Sequence, residues 1–188
     1  MRHFFIETLR RYGPVSKETE QELLPYVRHC FKKKGALLTR KGQINDRLYV
    51  MEKGITRFYY YRGDKEITSW FCTENMTSFT SSSFFAHLPS DEYQEVLEDS
   101  SIYYISKKSL SKLYKTNLEL SNIGRKIVEE YCLAFEERIA SLHARSAKTK
   151  YTALIADFPE LLQRVSLGHI ASYLGVSPET LSRIRKKV

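Results

Sequence analysis

The sequence predicts an α+β protein with an N-terminal antiparallel β-roll, a long helix and a C-terminal helix-turn-helix. Between Cys30 and Ser106, short apolar and β-branched runs alternate with turn residues every seven to twelve positions, which is typical of an antiparallel roll. Beyond Ser106 the apolar residues recur with a helical period. The last forty residues contain the capping and turn residues that begin and end two short helices. We therefore expect domains over 1–116, 117–145 and 146–188.

Composition bounds the class of protein. Hydrophobic residues make up 42% and aromatic residues 13% of the 188 positions, enough to build a core and to exclude disorder. No apolar run approaches 18 residues, and the N-terminal one is too short for a secretory signal, so we expect a cytoplasmic protein with no membrane partner. Cys30, Cys72 and Cys132 form no CxxC pair and are expected to be free, mostly buried thiols that hold no metal.

The first hundred residues predict helix and then strands. Ser16 is a suitable N-cap for a helix over about 17–28, with Glu18 and Glu20 in its first turn. The strand candidates ALLTR, RLYVME, ITRFYYY and EITSWF follow, separated by glycine turns. After a polar stretch over 77–83, YQEVLEDSSIYYIS predicts one or two returning strands that end at Ser106.

A long helix is predicted from about Asn117 to Leu142, roughly 39 Å at 1.5 Å per residue. Apolar residues along one face of this helix are spaced 3, 4, 4, 4, 4 and 3: Leu120, Ile123, Ile127, Tyr131, Phe135, Ile139 and Leu142. Two interpretations stay open. The helix lies across its own sheet, or it pairs with its copy in a homodimer whose interface contains Ile123, Ile127, Tyr131 and Phe135.

The C-terminal segment carries the most specific pattern. Gly175 supplies the positive φ that ends a first helix in a sharp turn. Ser177 caps a second helix and Pro178 takes its first position. Leu181 and Ile184 are expected to pack inward. Together these devices define a helix-turn-helix, with no strand-like segment beside it to form an evident wing.

The charge distribution favours double-stranded DNA as the partner. From His143 to Val188 there are eight basic and three acidic residues, so this quarter carries +5 of the net +8. Arg183 is the residue type that clamps guanine, and Glu179 can accept from cytosine. The predicted DNA-binding residues are Ser177, Pro178, Glu179, Ser182, Arg183, Arg185, Lys186 and Lys187, the last three against phosphate.

Two segments resemble a known family. HCFKKKGALLTRKGQINDRLYVMEKGITRFYY resembles the first strands, and IASYLGVSPETLSRIRKK resembles the recognition helix, of the Crp/Fnr family of bacterial transcription regulators. In the second segment the family's Glu-x-x-Ser-Arg pattern falls on Glu179, Ser182 and Arg183. The resemblance covers nearly the whole chain. It implies a cyclic-nucleotide-binding-like sensor roll, a homodimer on an inverted repeat, a small-molecule effector and RNA polymerase as a further partner.

The sequence departs from this family where cyclic AMP binds its founding members. Their Gly-Glu and Arg-Ser or Arg-Thr pairs have no counterpart here, because no glycine lies between Gly63 and Gly124 and no arginine between Arg62 and Arg125. Asp91 and Glu92 stand near the expected phosphate pair instead. We expect an effector other than cyclic AMP, neutral or apolar given Phe79, Phe84, Phe85 and Tyr93, and its identity is unknown.

No cofactor or enzymatic activity is predicted. Three cysteines are too few for a cubane cluster, and a lone histidine such as His87 is a weak indication of haem. The sequence has no P-loop, GxGxxG, HExxH or GxSxG motif, so no catalytic residue is assigned. The alternative to a DNA-binding regulator is a sensor module that binds a cyclic nucleotide or other small ligand without binding DNA by itself.

Overall fold

A computed structural model describes residues 3–186. The chain divides into two compact units. The first unit contains the residues up to Phe58 together with Phe71–Glu130, and the second contains Tyr59–Trp70 together with the residues from Tyr131 onward. Within the described residues, no helix combines the length and the apolar character needed to cross a membrane.

Two four-stranded sheets form the roll. The chain begins with helices α1 (His3–Arg10) and α2 (Lys17–Leu23), a 3-10 turn (Leu24–Tyr26), and strands β1 (Arg28–Lys32), β2 (Leu37–Thr39), β3 (Arg47–Lys53), β4 (Thr56–Arg62), β5 (Lys65–Cys72) and β6 (Thr77–Ser78). Helix α3 (Ser81–Ala86), strands β7 (Tyr93–Val96) and β8 (Ser100–Ser106) and helix α4 (Lys107–Leu113) follow. The sheet orders are β1-β8-β3-β6 and β2-β7-β4-β5.

The centre of the first sheet is the antiparallel pair β3 and β8. Leu48 faces Ile105, and Met51 faces Ile102. All four side chains are buried, at most 4% exposed. Burying a side chain of this size stabilises the fold by about 1.5–3 kcal/mol, so this pairing is a main part of the roll's core.

Gly54 allows β3 and β8 to approach closely at the end of the pair. Its φ is +113°, and a Cβ built there would lie 1.9 Å from the hydroxyl oxygen of Ser100 and 3.0 Å from its Cα. Its N–H donates to a carboxylate oxygen of Glu74 at 2.7 Å. Only glycine combines this backbone conformation with this contact.

Helix α2 is shorter than the helix predicted over 17–28. Ser16 caps it as expected, since its hydroxyl accepts the N–H of Thr19 at 3.2 Å. The α-helix ends at Leu23, because Pro25 has no N–H with which to continue the hydrogen-bond ladder. The 3-10 turn that contains Pro25 then leads into β1.

Helix α5 (Leu118–Ala144) is the predicted long helix and spans about 40 Å. Leu120, Ile123 and Ile127 in its first half are at most 4% exposed. A second stripe, spaced 4, 3, 4 and 3, is exposed: Val128, Cys132, Phe135, Ile139 and Leu142. The predicted stripe relied on successive spacings of four residues, whereas an α-helix has 3.6 residues per turn. The stripe therefore winds around the helix axis, and only its first part lies in the core of the roll.

Four further helices complete the second unit. They are α6 (Ala147–Asp157), α7 (Leu161–Arg164), α8 (Leu167–Leu174) and α9 (Pro178–Arg185). Their buried side chains include Tyr151, Leu154, Ile170, Leu174 and Leu181. From Lys107 to the last described residue the chain forms helices and no strand. The predicted fold class, a β-roll, a long helix and a helix-turn-helix without an evident wing, is confirmed.

Replacing Gly54 tests the close approach. We expect Gly54→Ala to lower the free energy of unfolding by about 3 kcal/mol, because the Cβ adds a clash to an unfavourable φ. Gly35→Ala is the matched control, since Gly35 also has a positive φ of 82° but no atom within 4 Å of the added Cβ. It should cost about 1 kcal/mol. Urea unfolding measures both, and equal losses would contradict the role of Ser100.

Candidate nucleic-acid interface

Gly175 makes the turn between α8 and α9. It lies in the left-handed region at φ 68° and ψ 36°, where its N–H donates to Ser172 O at 3.1 Å. The N–H of Val176 donates to Ala171 O at 3.0 Å. These bonds satisfy the last carbonyls of α8, so the helix ends sharply and the chain can enter a second helix at once.

Ser177 begins α9 as predicted. It has extended backbone angles, and its hydroxyl accepts the N–H of Thr180 at 3.2 Å. Pro178 stands in the first helical position, where a missing N–H costs nothing. The neighbouring Ser177 hydroxyl, followed by the residue's own backbone N–H, lowers the pKa of the exposed Glu179 carboxyl.

The predicted DNA-contacting residues lie on the outside of this helix pair. Leu181 is fully buried and Ile184 half-buried, so both anchor α9. The exposed residues are Ser177, Pro178, Glu179, Arg183, Arg185 and Lys186, and Ser182 is partly exposed. Lys187 lies outside the described residues. Residues 179, 182, 183 and 186 are spaced i, i+3, i+4 and i+7, so they share one face.

Thr180 orients Arg183, a role that the sequence analysis did not assign. The guanidinium of Arg183 donates to the hydroxyl of Thr180 at 3.3 Å, and the hydroxyl of Ser177 donates to the same oxygen at 3.2 Å. The spacing of three residues between Ser177, Thr180 and Arg183 is visible in the sequence and is the signal that indicates this chain of contacts.

Ser172 connects α8 to strand β5 within the second unit. Its hydroxyl accepts the N–H of Thr68 at 2.9 Å and donates to the carbonyl of Glu66 at 3.0 Å. Nearby, the guanidinium of Arg138 lies 3.7 Å from the ring centroid of Tyr173 and donates to that residue's carbonyl. These contacts join residues 35 to 106 positions apart, so no local pattern predicts them.

The basic residues of the second unit occupy both internal and exposed positions. The ammonium of Lys150 donates to Leu142 O at 3.0 Å and to Leu174 O at 3.5 Å, and it thereby caps the ends of two helices. Lys148, by contrast, is exposed. Lys148 near the start of α6 and the basic residues of α9 contribute exposed positive charge to the second unit.

The predicted dimer residues fall into two groups. Ile123 and Ile127 are buried in the core of the roll, at 3% and 4% exposed. Tyr131 is partly exposed and Phe135 is 42% exposed, and their rings lie 5.9 Å apart. Cys132 is exposed, contrary to the expectation of mostly buried thiols, whereas Cys72 is buried and Cys30 is intermediate.

The roll places α3 where the cyclic-nucleotide cassette was expected. The hydroxyl of Ser83 donates to Leu88 O at 2.7 Å, and the hydroxyl of Ser90 to Glu92 O at 2.8 Å. Asp91 is exposed. On the neighbouring strand, the buried guanidinium of Arg57 donates to the Glu95 carboxylate at 2.8 Å. A carboxylate therefore already accepts from this arginine.

Solved structures resemble this one over most of the chain. FixK2 from Bradyrhizobium japonicum superposes with a TM-score of 0.76 at 15% identity, over 86% of this chain and 83% of FixK2. A Crp/Fnr-family transcriptional regulator from Eubacterium rectale gives 0.71 at 15% identity, over 94% and 87%. The c-di-GMP-responsive global regulator CLP from Xanthomonas campestris gives 0.69 at 17% identity, over 92% and 91%.

The chain has the fold of the Crp/Fnr regulators. No family model and no curated protein matches its sequence. The resemblance found in the two sequence segments is thus confirmed at the level of the Crp/Fnr fold, with its cyclic-nucleotide-binding-like roll. This fold carries both the capped α8–α9 pair and the α3 region in which the cyclic AMP residues are missing.

The cap of α9 can be tested with two variants of Ser177. Ser177→Ala should lower stability by about 1 kcal/mol, because the N–H of Thr180 loses its acceptor, whereas Ser177→Gly should cost only a few tenths of a kcal/mol. In both variants the pKa of Glu179 should rise towards its ordinary value, since the hydroxyl that lowers it is gone. Thermal unfolding and an NMR titration of Glu179 measure these effects. An unchanged pKa in both variants would contradict the contact.

Proposed function

We propose that this protein is a sequence-specific DNA-binding transcription regulator that acts as a homodimer. The observation that carries the proposal is the exposed face of α9, where Glu179, Ser182, Arg183 and Lys186 stand together on a helix that is capped and anchored in a helix-turn-helix. In this proposal, residues 1–116 form the sensor, 117–145 the dimerisation helix and 146–188 the DNA-binding domain.

Arg183 and Glu179 are the proposed base-reading residues. The guanidinium of Arg183 can donate to both O6 and N7 of guanine, and its bond to Thr180 limits the conformations that it must give up on binding. Glu179 accepts from the amino group of a cytosine, for which it must be ionised. Its lowered pKa favours that state. Ser182, between them on the same face, contacts a neighbouring base.

The remaining basic residues of this segment hold the DNA backbone. Arg185 and Lys186 are exposed on α9. We assign the same role to Lys187 from the sequence alone, and the exposed hydroxyl of Ser177 is a further candidate for a phosphate contact. Contacts to phosphate raise affinity for every sequence alike and release counterions, so they make binding strongly dependent on salt. Pro178 at the start of α9 keeps the helix N-terminus rigid where it approaches the DNA.

A second copy of the chain is the proposed partner of the exposed stripe on α5. The residues of this stripe repeat with alternating spacings of four and three, which is the period of two helices that wind around each other. Ile139 is 60% exposed and Leu142 40%, so the apolar area is accessible. Phe135 belongs to this stripe, whereas Ile123 and Ile127 contribute to the core of each copy.

Two recognition helices related by a twofold axis fit an inverted repeat. Helix-turn-helix dimers place these helices in successive major grooves about 34 Å apart, so the half-sites should be centred about one turn of DNA apart. A dimer also makes the helix-turn-helix contacts twice, so two modest half-site affinities combine into the affinity that is typical of a specific regulator. RNA polymerase is a further proposed partner of the bound dimer.

Cyclic AMP is not the proposed effector. A cyclic phosphate needs hydrogen-bond donors and positive charge, but the α3 region offers the Asp91 carboxylate, and the buried arginine of the adjoining sheet donates to Glu95. Ser83 and Ser90 donate to backbone carbonyls. The effector, whose identity is unknown, is expected to be uncharged.

Selection of DNA sequences tests the reading face. Arg183→Ala should cost about 1–3 kcal/mol at the preferred site and relax the preference at one base pair. Lys186→Ala, on the next turn of the same helix, should weaken all sequences alike and reduce the slope of log affinity against log salt by about 0.9. Binding selections with promoter fragments compare the variants. If the consensus of Arg183→Ala equals that of the wild type, Arg183 contacts only phosphate.

Oxidative cross-linking tests the dimer. In two parallel helices the Cys132 residues face each other, within the Cα separation that a disulfide spans. Copper-phenanthroline should therefore cross-link the wild type but not Cys132→Ser, which keeps Cys30 and Cys72. Ile139→Asp should sediment as a monomer. Leu133→Asp is the matched control, because Leu133 is 67% exposed on the opposite side of α5. A monomeric wild type at micromolar concentration would contradict the proposal.

A further inference from the structure

A cavity of about 370 Å³ lies between α3, the residue that follows α4 and the first half of α5. All of its lining residues belong to the first unit. Its volume falls within the range of small-molecule sites in proteins. The serines of α3 and the carboxylates of Asp91 and Glu92 do not line it. The cavity therefore contains three of the four aromatic residues that the sequence suggested for an apolar effector, Phe79, Phe84 and Phe85, but none of the expected phosphate-binding positions.

Aromatic rings and aliphatic side chains together line the cavity. The ring centroids of Phe79, Phe84 and Phe85 lie 5.1–5.4 Å from one another. Ile127 and Val128 of α5 also line the cavity. Aromatic pairs are most favourable at centroid separations of about 4.5–7 Å in edge-to-face or offset geometry, so a flat ring that enters the cavity gains contacts of the same kind.

Tyr114 supplies a hydrogen-bond donor to this lining. Gly124 makes room for its ring in the middle of α5, since a Cβ there would lie 2.6 Å from the tyrosine hydroxyl. Within residues 3–186 this hydroxyl has no hydrogen-bond partner. Burial raises the pKa of Tyr114 to about 12, so the group stays protonated at neutral pH. A bound molecule with a carbonyl or ring nitrogen would satisfy it.

The charges at the rim are already compensated. Arg125 and Glu129 form an ion pair with each other, and both side chains are about half exposed. They are the two charged residues that line the cavity. A charged ligand would lose its hydration without gaining a counter-charge, so the lining favours an uncharged one.

We propose that this cavity binds a small, uncharged, planar aromatic molecule that accepts a hydrogen bond from Tyr114, and that this molecule is the effector of the regulator. Its role as effector rests on the proposed function, whereas the binding itself does not. Val128 connects ligand binding to dimerisation, because it lines the cavity and also belongs to the exposed stripe proposed to pair with a second copy. A ligand in contact with Val128 would therefore lie at the proposed dimer interface.

The probe for the test is prodan, an uncharged naphthalene ketone whose fluorescence reports both apolar surroundings and hydrogen bonds to its carbonyl. The wild type should bind one prodan per chain with micromolar affinity and shift its emission to the blue. Val128→Trp, which fills the cavity, should weaken binding at least tenfold. Leu88→Trp is the matched control: Leu88 is 55% exposed and does not line the cavity, so binding should be unchanged.

A second variant keeps the test decisive if Val128→Trp does not fold. Tyr114→Phe removes one oxygen, so it should shift the emission of bound prodan further to the blue at unchanged stoichiometry. Ile139→Asp should bind prodan like the wild type, because every lining residue comes from one chain. Absence of binding, an unchanged affinity in Val128→Trp, an unchanged spectrum in Tyr114→Phe or a loss of binding in Ile139→Asp would each overturn the proposal.

Mobility shifts on the same samples separate the two proposals. We expect prodan to change the affinity for DNA at least threefold in the wild type and not in Val128→Trp. A protein that binds prodan but shifts no promoter fragment would refute DNA binding and leave the cavity site standing. A protein that shifts DNA but does not bind prodan would refute the cavity site alone. Displacement of prodan by cyclic AMP would contradict an uncharged ligand.

Discussion

Burial of one stripe of α5 in the roll is the constraint on which the rest of the structure depends. Leu120, Ile123 and Ile127 are 1%, 3% and 4% exposed, and each contributes about 1.5–3 kcal/mol of burial. Once these three side chains are fixed, the rotation of the whole helix about its axis is fixed as well. The second stripe must then face outward, and Gly124 must face Tyr114. The exposed apolar face and the cavity are both consequences of that one packing choice.

The turn between α8 and α9 depends on local chemistry instead. Gly175, Ser177 and Pro178 act on their immediate neighbours, through a positive φ, a cap and a missing N–H, and each could be predicted from the sequence because its partner lies within four residues. The same holds for Ser16 at the start of α2. The face of α9 follows from this turn, so the candidate interface could be assigned residue by residue.

Contacts between distant residues could not be predicted in this way. In the sequence the apolar stripe of α5 is continuous. Its spacing alone does not indicate which of its residues are buried in the roll and which are exposed. The position of Phe79 and Val128 at one cavity, and of Tyr114 against Gly124, depends on how the chain returns after the roll. A glycine in the middle of a long helix, which costs about 1 kcal/mol relative to alanine, was the one visible signal of such a contact. Pro25, which ends α2 early, is itself visible in the sequence as a residue that cannot continue a helix.

Ser172 has a consequence for the solubility of the chain. Strand β5 is the last in its sheet, so its outer edge presents N–H and C=O groups to which a strand of another molecule could add. The N–H of Thr68 and the C=O of Glu66, two residues apart, point to the same edge. The hydroxyl of Ser172 accepts from the first and donates to the second, as the backbone of a neighbouring strand would. The first helix of the helix-turn-helix therefore also protects a sheet edge. A fragment that keeps β5 but lacks α8 would expose this edge to aggregation.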